Sequence, residues 1–446
     1  MDIFSYYKVK IKDYNKIFEK TTYIYREAVS FFINICDKEW DSLKDLSSVS
    51  RYSMIEKLSL ISKSRPEVKY NFNEKFYKMP RDLRRAAIAC AVGAYSSYHS
   101  SLQNWNKNKQ GKQPTLQLDR NSMPTLYHKN MYIRTDNETA RIKIFHKNDW
   151  VWLDVTLNHQ DVKYIKNHCK FKKECVPTLN KQGKCWYLVF PFEDKVTFQN
   201  VDIQDRLICA VDLGINNDAT CSIMQCDGTV VARKFINLGT EKDHLYKAAN
   251  RVKKAQQKGN YKTPTLWKHV NDLNTDLSRK TAKEILDFAV LYSVDVIVFE
   301  FLDTKGRKSG RNKQKLQLWR KNEIQKIVEH RAHIMGIRIS RICAWNTSRL
   351  AFDGSGKVER GTYIQNGKTK YNYSICTFQN GKQYHCDLNA SYNIGARYFV
   401  RELLKSDLVT RRLSYQANVL DYGTGSTRTL STLIKLNADL CNMELA

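Results

Sequence analysis

Three carboxylates stand at places where acids do chemistry. Asp212 ends the apolar run 207–212, Glu300 ends the run 294–300, and Asp387 opens a helix-like segment. Acids brought together repel one another, and burying them unpaired is costly. A divalent cation relieves that cost. Mg²⁺ prefers hard oxygen ligands and keeps water positions open for phosphate oxygens. Two such ions can serve phosphodiester hydrolysis, one activating water and one stabilising the leaving oxygen.

The segments around these acids must supply a sheet and helices that bring them together. Leu207–Asp212, Ala219–Cys226 and Thr229–Ile236 read as strands, the last two joined by a tight Asp227-Gly228 turn. Thr263–Tyr292 reads as a long helix with Leu273, Leu277, Ile285 and Ala289 on one face. Strand Val294–Phe299, helix Leu316–Met335, strand Ile337–Ile342 and helix Leu388–Leu404 follow. Three antiparallel strands, then helix, strand, helix, strand, helix, is the order of an RNase H-like α/β domain. In such a sheet Asp212 and Glu300 are neighbours and the last helix supplies Asp387.

The first half reads differently. Residues 4–11 alternate as a strand, and residues 15–64 have helical spacing, as in Tyr25, Val29, Phe32 and Ile33. A second helix is expected from Pro80, a good first-turn residue, towards Trp105. From about 115 to 205 the pattern is β, with strands at 141–145, 150–157 and 185–192 and a turn at Asn180–Lys184. A β domain interrupted by a helical block follows from this order.

Composition narrows the partners. The 446 residues carry a formal net charge of +29, with 42% apolar and 11% aromatic residues. That apolar content argues against a largely disordered chain. The excess of cations asks for a polyanion, nucleic acid before an anionic membrane. The longest greasy stretch, Ile285–Leu302, is broken by Asp287, Asp295 and Glu300, so no membrane span and no membrane partner are expected. The N-terminus has no secretory pattern, and the 12 scattered cysteines include no C-x-x-C, so a reducing, cytoplasmic setting is expected, the prokaryotic cytosol or nucleoid. Candidate phosphate contacts are Arg81, Arg84 and Arg85 at one end of the Pro80 helix and Lys107, Lys109 and Lys112 at the other. The loop holding Lys305, Arg307, Lys308, Arg311, Lys313 and Lys315 follows Glu300 and is expected to steer single-stranded substrate at the mouth of the site.

Several motifs together carry a resemblance. AVDLGINNDA (210–219) resembles the first RuvC motif of the TnpB transposon nucleases and of the miniature type V CRISPR effectors. TLWKHVNDLN (265–274) and AKEILDFA (282–289) resemble the helix before their second motif, and VIVFEFL (296–302) resembles the second motif. Trp319, Gly336-Ile337 and Thr347-Ser348 fall where that family has a W, a GI and a TS, and DLNASYNI (387–394) resembles the third motif. The likeness is good over about 205–400 and weaker upstream.

The resemblance implies an RNA-guided DNA endonuclease with one RuvC site, in which Asp212, Glu300 and Asp387 are catalytic and hold two Mg²⁺ ions, with Mn²⁺ able to substitute. It implies a guide RNA and target double-stranded DNA as partners, and leaves open a homodimer on one RNA. The fold it implies is a bilobed α/β multidomain chain. An oligonucleotide-binding-like β-barrel, the wedge, is interrupted by a helical recognition domain, and an RNase H-like RuvC domain carries an inserted target-nucleic-acid-binding loop module. The expected boundaries are 1–11 for a wedge strand, 12–120 for the helical recognition domain and 121–205 for the wedge barrel. A first RuvC segment covers 206–342, the inserted module 343–386, and a second RuvC segment with the C-terminal tail 387–446. The family's two C-x-x-C pairs are missing: Ala351, Gly354, Thr377 and Asn380 occupy those positions. Tetrahedral zinc needs about four converging ligands, so zinc is not expected. The aromatics Phe352, Tyr363, Tyr371, Tyr373, Phe378 and Tyr384 are expected to form a small core instead. Two other readings fit the same acids less well: an RNA-guided DNA-binding repressor that does not cut, and an unguided RNase H-like transposase.

Overall fold

The computed structural model describes all residues except 13–15, 110, 119–120, 127–129, 303–317, 366–367, 406–422 and 445–446. The chain divides into two compact units, Asp2–Lys195 and Val196–Ala446, the second also taking Met1.

In the first unit the opening strand β1 (Asp2–Lys10) leads into helices α1 (Glu19–Leu43), α2 (Ser48–Ser59), α3 (Phe72–Lys75) and α4 (Arg81–Asn108). Strands β2 (Tyr132–Arg134), β3 (Thr139–His146) and β4 (Asp149–Thr156) form an antiparallel sheet. After helix α5 (His159–His168) come β5 (Lys173–Glu174), β6 (Thr178–Gln182) and β7 (Cys185–Lys195). β7 pairs with β1, β5 and β6, so the first and last strands close around the helical block. One apolar core runs through α1, α4 and both sheets, with Phe32, Leu83, Ile142 and Phe190 fully buried.

Three expectations for this region are corrected. Pro80 is not in the first turn of α4: it is the residue before it, with ψ at 137°. An extended ψ at the cap fits a residue that cannot donate to a preceding carbonyl. The stretch 115–205 is not all β, because α5 lies within it. Its amphipathic face is narrow, with only Val162 and Ile165 buried, while Asn158 caps it by accepting from the Gln160 and Asp161 N–H groups. The signal there is the cap rather than the period. The expected turn at 180–184 is shorter, since β6 runs to Gln182 and only Gly183-Lys184 link it to β7.

The second unit is built on a five-stranded sheet. Its strands are β8 (Ile208–Asp212), β9 (Ala219–Met224), β10 (Val230–Ile236), β11 (Val296–Phe301) and β12 (Arg338–Cys343), in the order β10-β9-β8-β11-β12. β9 runs antiparallel to both its neighbours, β8 and β10, and β8, β11 and β12 run parallel. Helices α6 (Gly239–Gln257), α7 (Pro264–Leu291) and α8 (Lys321–Ile334) precede a smaller sheet of β13 (Glu359–Gln365), β14 (Lys368–Thr377) and β15 (Gln383–His385). Helices α9 (Cys386–Leu403) and α10 (Leu430–Glu444) complete the unit.

The sheet is covered on both faces, which explains why its central strands read as unbroken apolar runs. Cys209, Val211, Ile297 and Phe299 pack against α7 and α8 through Ile285, Ala289, Ile324 and Val328. Ile208, Ala210, Val296 and Val298 point the other way, towards Ile394 and Phe399 of α9 and Leu433 and Leu436 of α10. Helix α9 lies unusually close to the strands at Gly395. A Cβ there would stand 2.8 Å from the Met224 sulfur and 3.3 Å from the Ala210 Cβ. The C-terminal tail, for which the sequence pattern predicts no element, thus includes a helix, α10, that seals the α9 face.

The aromatic core expected in 352–385 forms only for some of its members. Phe352, Phe378 and Tyr384 pack together with Cys376 and Cys386. Tyr371 and Tyr373 do not join them, at 74% and 57% exposure. The small sheet has one packed face, and these two rings lie off it. The Tyr363 side chain lies outside the described residues.

Candidate active site

The pleat of the large sheet decides where the acids point. Side chains two apart on a strand share a face. Asp212 continues the face of Ile208 and Ala210, and Glu300 that of Val296 and Val298, which is the face covered by α9. Val211 pairs with Phe299 in the parallel β8–β11 ladder, so Asp212 and Glu300 occupy the next position on adjacent strands. Asp387 sits in the first turn of α9, where the helix N-terminus favours a negative charge. His385 caps that helix, its Nδ1 accepting from the Asp387 N–H at 3.2 Å.

All three carboxylates line one cavity of about 350 Å³, together with Gly214, Trp319, Arg360 and Tyr373. Asp387 and Glu300 are each held by a neighbour. Asn217 Nδ2 donates to the Asp387 carboxylate at 2.8 Å. The Thr347 hydroxyl donates to the Glu300 carboxylate, and Gln325 donates to the Glu300 carbonyl at 3.0 Å. Thr347 is itself fixed from α9, because Asn393 Nδ2 donates to its carbonyl at 2.9 Å. Asn389 does the same one turn earlier, donating to Leu350 and accepting from the Phe352 N–H, both at 2.8 Å. The two buried asparagines of DLNASYNI therefore clamp the segment after β12 onto the helix that carries Asp387.

The electrostatics are strained in one direction. Burial pushes the Asp212 carboxyl well above the usual carboxylate range, and the neighbouring Glu300 and Asp387 push it further; Arg360 opposes them. Burial also raises Glu300, against the Thr347 hydrogen bond and the charges of Arg397 and Lys321. Arg360, on β13, is the cation among the described lining residues. Its Nη2 donates to the Ser348 carbonyl at 2.8 Å, and its buried Nε has no acceptor.

Such a site fits a hard divalent cation. Its donors are carboxylate oxygens, and their mutual repulsion is what a cation removes. Among the described residues no three His, Cys, Asp or Glu side chains close into a ready-made cage. Magnesium in general needs only one or two carboxylates and takes its other positions from water and phosphate.

The loop from Asp212 to Asn217 depends on Gly214, where a Cβ would come within 2.7 Å of the Asn217 carbonyl oxygen. Both partners there are backbone, so the clash cannot be relieved by a rotamer change. Gly214→Ala is expected to shift Asn217 off Asp387 and, in the nuclease reading proposed below, to lower cleavage at least tenfold, roughly the cost of a small misplacement of a reacting group. Thermal unfolding should move by only a few degrees, which separates this effect from loss of the fold.

The other candidates fall differently. Arg84 and Arg85 both bond to Glu56, at 3.5 and 3.2 Å, so part of their charge is spent within the helical block. Arg81, Lys107, Lys109 and Lys112 are on the surface or at the helix end, Lys109 as the left-handed residue closing α4. Lys305, Arg307, Lys308, Arg311, Lys313 and Lys315 lie outside the described residues. Sequence reasoning passes over Asn217 and Arg360, whose partners are distant in the chain. No helix among the described residues is long and apolar enough to cross a membrane.

The fold class is a mixed α/β multidomain one, shared with a solved Cas12f1 complex. A Cas12f1–sgRNA–target DNA complex aligns with a TM-score of 0.50 at 17% identity, over 85% of this chain and 81% of that one. CasPhi-2 (Cas12j) bound to crRNA and phosphorothioate-DNA aligns at 0.42 with 8% identity, over 89% and 91%. At the level of sequence, the TnpB-like protein aq_aa05 of Aquifex aeolicus (strain VF5) is a homologue, 30% identical over 174 residues. That match takes in 34% of this chain and 55% of the relative, so the chain spans about half the length of the curated protein it matches. A model of the Aq_aa04 family matches residues 5–146. The homologue is thus TnpB-like, and the structural neighbours are Cas12 type V CRISPR effectors.

Proposed function

We propose that this protein is an RNA-guided DNA endonuclease that hydrolyses phosphodiesters in a single RuvC-type site. The observation that carries the reading is the meeting of Asp212, Glu300 and Asp387 in one cavity at the end of the parallel strands. A sheet ordered β10-β9-β8-β11-β12, with β9 antiparallel to its neighbours and β8, β11 and β12 parallel, supports an RNase H-like assignment for that unit. The net charge of +29 suits a long phosphate path such as a structured RNA and a guide–target duplex.

Asp212, Glu300 and Asp387 would hold magnesium, two ions in this reading, with manganese able to replace it. Bound there, the ions supply Lewis-acid activation and neutralise charge at the phosphodiester. The chain's own residues do the rest. Asn217 and Thr347 fix the rotamers of Asp387 and Glu300. Arg360 presents a guanidinium to the cavity, where it would bind a phosphate oxygen. One site cuts one strand at a time, so both strands of a duplex must be fed to it in turn.

The test is to sequence the RNA that copurifies when the chain is expressed with its native neighbouring DNA. A discrete structured RNA with a variable end, programming magnesium-dependent cutting of matching DNA, is the expected result. Heterogeneous host RNA, or none after a high-salt wash, sinks the guided reading.

A further inference from the structure

A second cavity, about 510 Å³, adjoins the carboxylate cavity and shares Gly214, Ile215, Asn216 and Trp319 with it. Its other walls are the start of α6, the middle of α7 and residues 318–320. We infer that this cavity receives one unstacked nucleobase of the strand whose phosphate lies at Asp212, Glu300 and Asp387. The identity of that strand rests on the nuclease reading above.

The wall chemistry argues for a base rather than a phosphate. Its cations are already engaged. Lys242 lies 3.3 Å from the Asp218 carboxylate and donates to the Asn216 carbonyl at 2.5 Å. Arg320 donates to Glu323 at 2.8 Å, to Thr275 at 2.7 Å and to Asn271 at 3.0 Å. What remains is a slot lined by Trp319 and Tyr246 with Leu245 and Leu277, and by small polar side chains such as Asn274 and Ser278. A flat ligand with apolar faces and polar edges matches it, and its size falls in the range of small-molecule sites, about 300–1,000 Å³.

The placement has a consequence for substrate choice. Trp319 forms a wall of both cavities, so a nucleotide flanking the cut is the one within reach. A base drawn into the second cavity cannot stay paired in a duplex. The site therefore takes single strands, and duplex DNA must be opened at the cut before it enters.

The test uses the full chain with its copurified RNA, in EDTA, and a short oligothymidylate carrying one 2-aminopurine. Wild type should quench the probe saturably. Trp319→Ala should remove the quenching and weaken binding about tenfold, as expected for one base–aromatic stack. Trp319→Phe should restore both, since it keeps a stacking face and the packing. Tyr246 is 54% exposed, so Tyr246→Ala cannot unfold the core and serves as the second variant. It should weaken quenching as well. Quenching and affinity within about twofold of wild type in Trp319→Ala and Tyr246→Ala would overturn the inference. Cutting without Trp319-dependent quenching rejects the base site and leaves the nuclease. Quenching in a chain that cuts no DNA with magnesium keeps the base site and rejects the nuclease.

Discussion

Asp212→Asn should abolish strand cutting, by about 10³-fold or more, and should at the same time make the ion-free protein more stable. The first effect follows from removing a charge that holds the cation. The second follows from the carboxyl's raised pKa. In the unfolded chain Asp212 titrates in the ordinary range, near 3.9. In the fold, burial and then Glu300 and Asp387 hold it well above that. A group raised on folding contributes stability below its unfolded pKa, and that contribution is lost as pH rises through the folded pKa. At neutral pH the ion-free wild type therefore carries a penalty that an amide does not. The gap in melting temperature between Asp212→Asn and wild type, measured in EDTA, should widen as pH rises above the unfolded carboxylate range. Magnesium should reverse the order. It binds the folded acids and raises the wild-type melting temperature by mass action, with a much smaller rise in the variant. A variant less stable than wild type in EDTA, or one that keeps the full magnesium shift, would show that Asp212 is a structural acid.

The acids are legible because their strands are. β8 and β11 are buried on both faces, so each reads as an apolar run whose first polar residue marks the sheet edge. Asp212 and Glu300 are those residues, and the pleat then places them on one face without further information. Helix α6 is not legible as a helix, although Leu245, Ala248, Ala249 and Val252 form a buried stripe. Half of that stripe is alanine, and the basic run 251–258 dominates the composition around it. The clamps on the acids are hidden for another reason. Asn217 and Asp387 are 170 residues apart, and Thr347 and Glu300 are 47 apart. A polar side chain with a distant partner looks, in sequence, like any surface residue. The same holds for Arg360, which reaches the acid cavity only because the small sheet packs beside α9.

Arg397→Ala should cost about 3–5 kcal/mol, the range for breaking a buried charged network by removing one member. Arg397 is 2% exposed, in the body of α9. Its guanidinium donates to four carbonyls: Cys343 at the end of β12 and Trp345 just after it, at 2.9 and 2.6 Å, and Ser426 and Arg428 before α10, at 3.0 and 2.9 Å. One side chain thus ties the end of the sheet to the approach of the C-terminal helix. Burial lowers its pKa to about 10, so it stays protonated at neutral pH. Alanine leaves four part-buried carbonyls without that donor, and any of them kept from water carries a desolvation cost. Lysine cannot repair this, because a compact ammonium has no planar fork to reach carbonyls on two sides. Arg397→Lys should therefore recover less than half of the loss. The charge also helps keep Glu300 ionised, so its removal should raise the Glu300 pKa further and move the acid limb of the cleavage profile to higher pH. Chemical denaturation gives the stability change. A pH–rate profile of Arg397→Lys, which keeps the charge, against Arg397→Met, which does not, separates the electrostatic effect from the loss of the clamp. If both variants unfold at the wild-type denaturant midpoint, the guanidinium is not what fastens α10 to the sheet.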